Sequence, residues 1–209
     1  MKVKSVLSEA RQIDRATALI QLGARVQVLK GSTDLSYERL LRLYREVTGK
    51  SPSKGQLPYS VDWFMTWQPN LHASLFLNQH EYLDKATELD EADALIKAYQ
   101  LYLEQVQMLG LDAQLSVTRA WSLLRFYDSG MVQMTPCSQC GGHFVTHPYE
   151  DPKRYVCGLC NPPARAGRGD APGGGGELAV DGDPGARCTA SDLTFEELGG
   201  LVPRRAHQW

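Results

Sequence analysis

The 209-residue chain has no apolar run approaching the ~18 residues that a membrane-crossing helix requires, so no membrane span is expected. Its opening stretch, MKVKSVLSEARQI, interrupts a few apolar residues with Glu9 and Arg11, which speaks against a secretory signal peptide and for a cytoplasmic protein. No phosphate-binding glycine loop, nucleophile elbow or metalloprotease helix occurs, and nothing in the sequence argues for an enzyme. Cysteine is scarce: there are five, and four of them fall between residues 137 and 160. That clustering in a mid-sized chain argues against a secreted disulfide scaffold and for metal or redox use. At 43% hydrophobic and 22% charged, the composition is that of a globular protein.

The net charge of −2 hides a segregation. Residues 1–61 hold eleven Lys and Arg against five Asp and Glu, net +6, whereas residues 62–130 hold four against ten, net −6. A basic first third on an otherwise acidic protein points to an anionic partner for that third alone.

Apolar periodicity predicts helices over most of residues 5–130. From Ser5 to Leu29 one or two helices fit, with Gly23 as a weak break, and KGSTD (30–34) supplies turn and capping chemistry. LSYERLLRLYREVTG follows as an amphipathic helix closed by Gly49. Its spacing puts Tyr37, Leu40, Leu41, Tyr44 and Val47 on one side and Arg39, Arg42 and Arg45 on the other. With Lys50 and Lys54, these arginines are the candidate DNA-phosphate contacts of a helix-turn-helix-like basic segment. The rival reading of such a face is plain solvation. Beyond the polar loop KSPSKGQLP, Trp63, Phe64, Trp67, Leu71, Leu75 and Phe76 form candidate core, and residues 91–108 and 113–127 carry further helical stripes. Glu81, Asp84 and Glu88 read as a solvated acidic surface, and His72 and His80 belong to no ligand pattern.

CSQCGGHFVTHPYEDPKRYVCGLC (137–160) holds two C-x-x-C pairs with 16 residues between them, enough for a hairpin that returns the second pair to the first. Four sulfurs can then surround a zinc ion tetrahedrally, at about 2.3 Å each. HFVTH and RYV alternate like short strands, and PYEDPK carries turn residues. A thioredoxin-like site needs one C-x-x-C opening a helix after a strand, and neither pair has that context. The spacing also fits four-cysteine iron–sulfur ligation, and His143 and His147 are possible substitutes for one thiolate, all-cysteine ligation being favoured. A closed four-sulfur site leaves no position for water, so the expected role is structural. Beyond Asn161 the composition shifts to glycine and proline, and residues 165–209 read as a flexible acidic tail in which Cys188 is an isolated thiol.

LIQLGARVQVL, LSYERLLRLYREVTGKSPSKGQLPYSVDWFMTW, IKAYQLYLEQ, TRAWSLLRF and CSQCGGHFVTH…CGLCNPPARA resemble the FlhC family, subunits of the bacterial flagellar master transcription activator, from about Ser5 to Arg165. The resemblance implies a mainly α protein with one structural zinc ion on Cys137, Cys140, Cys157 and Cys160. It also implies assembly with FlhD into a hetero-oligomer that binds double-stranded promoter DNA upstream of flagellar operons and recruits RNA polymerase. The expected organisation is a helical DNA- and partner-binding body (1–130), a ribbon-like zinc module (131–164) and the tail (165–209). Two rivals remain at this stage: a zinc-stabilised protein-interaction adaptor that does not touch DNA, and a thiol oxidoreductase.

Overall fold

The computed structural model describes residues 5–53, 55–57 and 59–164. Lys54, Arg165, Cys188 and the predicted tail lie outside the described residues.

Among the described residues, seven helices are followed by one antiparallel strand pair: α1 (Val6–Gln21), α2 (Val26–Ser32), α3 (Tyr37–Thr48), α4 (Asp62–Met65), α5 (Trp67–Ala86), α6 (Glu91–Met108), α7 (Val117–Asp128), β1 (Gln133–Pro136) and β2 (His143–Thr146). The protein is mainly helical, as the periodicity predicts. None of the described helices is long and apolar enough to cross a membrane.

The predicted stripe of α6 is the centre of the core. Leu95, Ala98, Tyr99, Tyr102 and Val106 are all buried, facing Phe76 and Leu77 of α5 and Leu123 of α7. Phe76 meets the Tyr102 ring edge-on, centroids 6.5 Å apart, an arrangement that matches the ring quadrupoles. The polar tips inside this core are partnered. Tyr99 Oη donates to the carbonyl of Leu115 (2.9 Å), while Tyr102 Oη accepts from the Leu115 N–H (3.2 Å) and meets His72 Nδ1 at 2.9 Å. His72, patternless in the sequence, is thus a core histidine. Burial lowers its pKa from the ordinary value.

Around this core the N-terminal helices wrap as a unit. Arg15 of α1 forks onto Asp93 (2.8 and 2.7 Å) and also pairs with Asp90, whose own carboxylate caps α6 by accepting from the Asp93 N–H. Gly49 ends α3 in the left-handed conformation (φ 69°) that favours glycine, as expected from the sequence, with its N–H on the Arg45 carbonyl. α3 buries Leu40, with Leu43 and Tyr44 against the core. Tyr37 and Val47, expected on that face, are 56% and 36% exposed, because the helix is seated on its middle turns and both ends stand clear.

The stretch that holds the candidate core residues Trp63, Phe64, Trp67, Leu71, Leu75 and Phe76 is divided between two helices. Thr66 takes an extended conformation (ψ 147°) between α4 and α5, and its hydroxyl bonds the Trp63 carbonyl. Pro69 falls in the first turn of α5, where a missing N–H costs nothing. The break turns Phe64 into the core and leaves Trp63 and Trp67 half-buried, facing two different neighbours.

Candidate metal centre

β1 and β2 flank the first C-x-x-C pair, with Gln133 opposite Thr146 and Pro136 opposite His143. HFVT is therefore a strand as predicted, but its partner is QMTP, upstream of the cysteines. RYV, expected as a strand, is a turn and its exit. The reason lies in the first knuckle: the Cys137 N–H bonds the Gly142 carbonyl (2.8 Å) and the Gly141 N–H bonds the Cys137 carbonyl (2.9 Å), which closes a tight loop between β1 and β2. The second knuckle is anchored differently, with the Ser138 N–H on the Tyr155 carbonyl (2.9 Å) and the Asn161 N–H on the Cys157 carbonyl (2.9 Å).

This folding brings Cys137, Cys140, Cys157 and Cys160 together, all four sulfurs lying within 4.8 Å of one another and none in a disulfide. Cys137 Sγ is 3.9 Å from Cys160 Sγ, and Cys140 Sγ is 3.7 Å from Cys157 Sγ. A tetrahedron with metal–sulfur bonds of about 2.3 Å has edges of about 3.8 Å, so the cluster fits a zinc-sized ion. The N–H groups of Cys157 and Cys160 point at Cys137 Sγ (3.3 Å) and Cys157 Sγ (3.4 Å), the hydrogen bonding that thiolates attract. His143 and His147 are not in the cluster. His147 instead stacks on Tyr149, centroids 5.1 Å apart and rings 6° from parallel.

The electrostatics favour a cation at the cluster. Burial opposes ionisation of Cys137, but the surrounding backbone N–H groups prevail and bring its pKa down to about 6. Cys140 is pushed up to about 11, by burial and by its neighbouring sulfurs, and Cys160 is raised by the same causes. Ionisation of Cys137 is thus favoured while that of Cys140 and Cys160 is opposed, an imbalance that a metal ion at the cluster would relieve. The four cysteines occupy all corners, and a metal held there has no vacant position for substrate. A redox reading finds no support in the backbone, since both pairs sit in turns with no helix opening from them.

The centre is built onto α5. Trp67 Nε1 donates to the Gly158 carbonyl (2.9 Å), and Leu71 packs on the apolar lining formed by Phe144, Tyr155 and Val156. Along the next turns, Asn70 Nδ2 donates to Val145 O (2.7 Å), Ser74 Oγ accepts from Val145 N (2.9 Å) and Asn78 Nδ2 donates to His143 O (3.0 Å). Side chains of α5 thereby satisfy the outer edge of β2, which would otherwise be open to pairing with another strand. No spacing signal in the sequence marks Asn70, Ser74 and Asn78 for this task, although their i, i+4, i+8 positions place them on one helix face.

The candidate DNA-contact residues lie elsewhere. Arg39, Arg42 and Arg45 are exposed on α3 and Lys50 just beyond its end, but Arg39 is ion-paired with Glu9 of α1. Glu81, read as part of a solvated surface, is held by Tyr127 Oη (2.6 Å) and Lys85 (2.9 Å). Burial alone would raise its pKa, but these two donors lower it from the ordinary value.

Fold and site together define a mainly helical protein carrying a four-cysteine cluster that could hold a metal ion. Comparison with known proteins agrees with that class and narrows it. The family model described as Flagellar transcriptional activator (FlhC) matches residues 1–172. A flagellar transcriptional regulator FlhC of Verminephrobacter eiseniae is 60% identical over 167 residues, covering 80% of this chain and 90% of the relative. That of Gallionella capsiferriformans is 56% identical over 172 residues (82% and 94%), and that of Cupriavidus metallidurans is 42% identical over 209 residues (96% and 98%). The chain belongs to the FlhC family, a family of flagellar transcription regulators and not of enzymes.

Proposed function

We propose that this chain is the zinc-bearing, DNA-binding subunit of a transcription activator that assembles with FlhD, binds the promoters of flagellar operons and brings RNA polymerase to them in the cytoplasm. The family match across residues 1–172 is the observation that carries this reading. Cys137, Cys140, Cys157 and Cys160 would hold one zinc ion, whose contribution is folding free energy for residues 131–164, a segment too small to fix its own core. The net charge of +6 over residues 1–61 supports placing DNA contact on the helical body, with Arg42, Arg45 and Lys50 as exposed cations there. Lys54 belongs to the same basic stretch, and α2, the connection at 33–36 and α3 would form the helix-turn-helix-like element. Arg39 is the weaker candidate, because Glu9 already neutralises it. Exposed Met108 and Leu111 at the end of α6 support the presence of a protein partner.

The test is complementation. In a flagellated bacterium deprived of its own family member, this chain is expected to restore expression from a flagellar promoter reporter, and Cys137→Ser with Cys157→Ser is expected to abolish it. Failure of the wild-type chain, expressed together with its cognate FlhD, would remove this reading in favour of an adaptor that does not act at promoters.

A further inference from the structure

Two arginines that are far apart in sequence are brought to neighbouring positions where the start of α2, α4 and the first turn of α7 converge. The Arg25 N–H donates to Thr118 Oγ (3.2 Å), which fixes residue 25 beside the turn that carries Arg119. Arg25 Nη1 donates to the Gln56 carbonyl (2.7 Å), and Gln27 Nε2 reaches the Gly55 carbonyl (3.3 Å), so the loop after α3 is laid against Arg25. The central carbon of the Arg119 guanidinium lies over the Trp63 ring, 3.9 Å from its centroid.

Both side chains are half-buried, and among the described residues neither has a carboxylate partner: the ion pairs there use Arg15, Arg39, Lys85 and Arg154. Burial and, after it, the nearby charge of Arg25 lower the pKa of Arg119 from its ordinary value. Two like charges partly withdrawn from water oppose folding unless an anion completes them. Trp63 covers the Arg119 guanidinium from one side, and among the described residues the guanidinium N–H groups donate to no acceptor, which leaves them for a ligand. Those groups match the paired oxygens of a phosphate.

We propose that Arg25 and Arg119 form a two-guanidinium clamp for one backbone phosphate of the bound duplex. The clamp rests on the DNA-binding reading above and shifts its electrostatic centre from the Arg39 face of α3 to the seam between α2 and α7. It is sequence-blind, since a phosphate contact positions the protein without reading bases.

The experiment uses the full chain co-expressed with FlhD, titrated with a flagellar promoter duplex and an unrelated duplex across a salt series. The variants are Arg25→Gln, Arg119→Gln, the double change, Arg119→Lys, and Lys97→Gln as a matched loss of charge at an exposed position of α6. Zinc content and helical circular dichroism are the fold controls. The double variant is expected to bind both duplexes about tenfold more weakly and to make the log–log salt slope shallower by about 1. Each single Gln variant is expected to give more than half of that loss, because both groups act on one phosphate. Arg119→Lys is expected to keep the slope and lose affinity severalfold, because a lysine keeps the charge but not the planar fork. Should Arg25→Gln lose zinc or helicity, the two Arg119 variants carry the test.

An unchanged slope and affinity in the double variant, while the wild type binds the promoter, overturns the clamp and leaves the DNA reading intact. So does loss of FlhD from the variants before DNA is added, which would assign the pair to an acidic group of the partner. A wild-type complex that binds neither duplex overturns both.

Discussion

Trp67 and Gly158, 91 residues apart in sequence, are joined by a 2.9 Å hydrogen bond from the indole N–H to the backbone carbonyl of the second cysteine knuckle. Through this bond the metal-type centre and the first turn of α5 share one geometry. Val156 of the apolar lining stands two residues before Gly158 and Cys160 two after it, so the indole sits over the centre's second half.

Gly158 has to be small. A Cβ there would lie 2.6 Å from Trp67 Cδ1 and 2.9 Å from Nε1, so Gly158→Ala forces the indole or the knuckle to move. Overpacking of this kind costs about 1–3 kcal/mol. Thermal unfolding of the zinc-loaded protein is expected to show a lower midpoint for Gly158→Ala, whereas Ala at exposed Gly130, which meets no atom but has φ 71°, should show only the smaller backbone strain.

Metal removal should act regionally. With a strong chelator, the protein is expected to release about one zinc per chain and to lose protease resistance first between residues 131 and 164. Helical circular dichroism should persist, since the α5, α6 and α7 core is independent of the cysteines. Mass spectrometry of limited digests locates the first cuts. First cuts within α6 would count against this division of labour.

Tyr102→Phe removes the hydroxyl that meets both His72 Nδ1 and the Leu115 N–H in the core. Leaving such buried groups without a partner costs about 1–3 kcal/mol. Urea unfolding of the variant is expected to show that loss at an unchanged m-value.

His72 gives the fold a pH dependence with a definite sign. Its folded pKa is lowered by burial, so below the unfolded value of about 6.5 the unfolded chain takes up a proton before the native one does. The stability contributed by the neutral imidazole is therefore present above about 6.5 and is lost as the pH falls through that value towards the folded pKa. Nuclear magnetic resonance titration of the imidazole is expected to give a midpoint below 6.5, and a midpoint above it would contradict the buried, neutral assignment.

What was legible in the sequence follows from local physics. The helical stripe of residues 91–108 and the glycine closing α3 are set by periodicity and backbone preference, which a single segment carries by itself. The cluster of four cysteines was legible because two C-x-x-C pairs at that separation have few other uses. The break at Thr66, the pairing of HFVT with QMTP and the face of α5 that holds β2 depend on partners distant in sequence, and no local pattern encodes them. Arg39 shows the same limit: its place on the charged face of α3 was readable, but its neutralisation by Glu9 required the packing of α1 on α3. The Arg25 and Arg119 pair is likewise invisible until α2 and α7 are brought together.

Promoter-selective duplex binding by the chain in complex with FlhD tests the account most directly. Across a salt series, the complex is expected to prefer a flagellar promoter over unrelated DNA and to lose affinity steeply, with a log–log slope near −0.9 for each phosphate neutralised. Equal or negligible binding to both duplexes, with zinc present and FlhD bound, would contradict it and leave a zinc-stabilised adaptor as the reading.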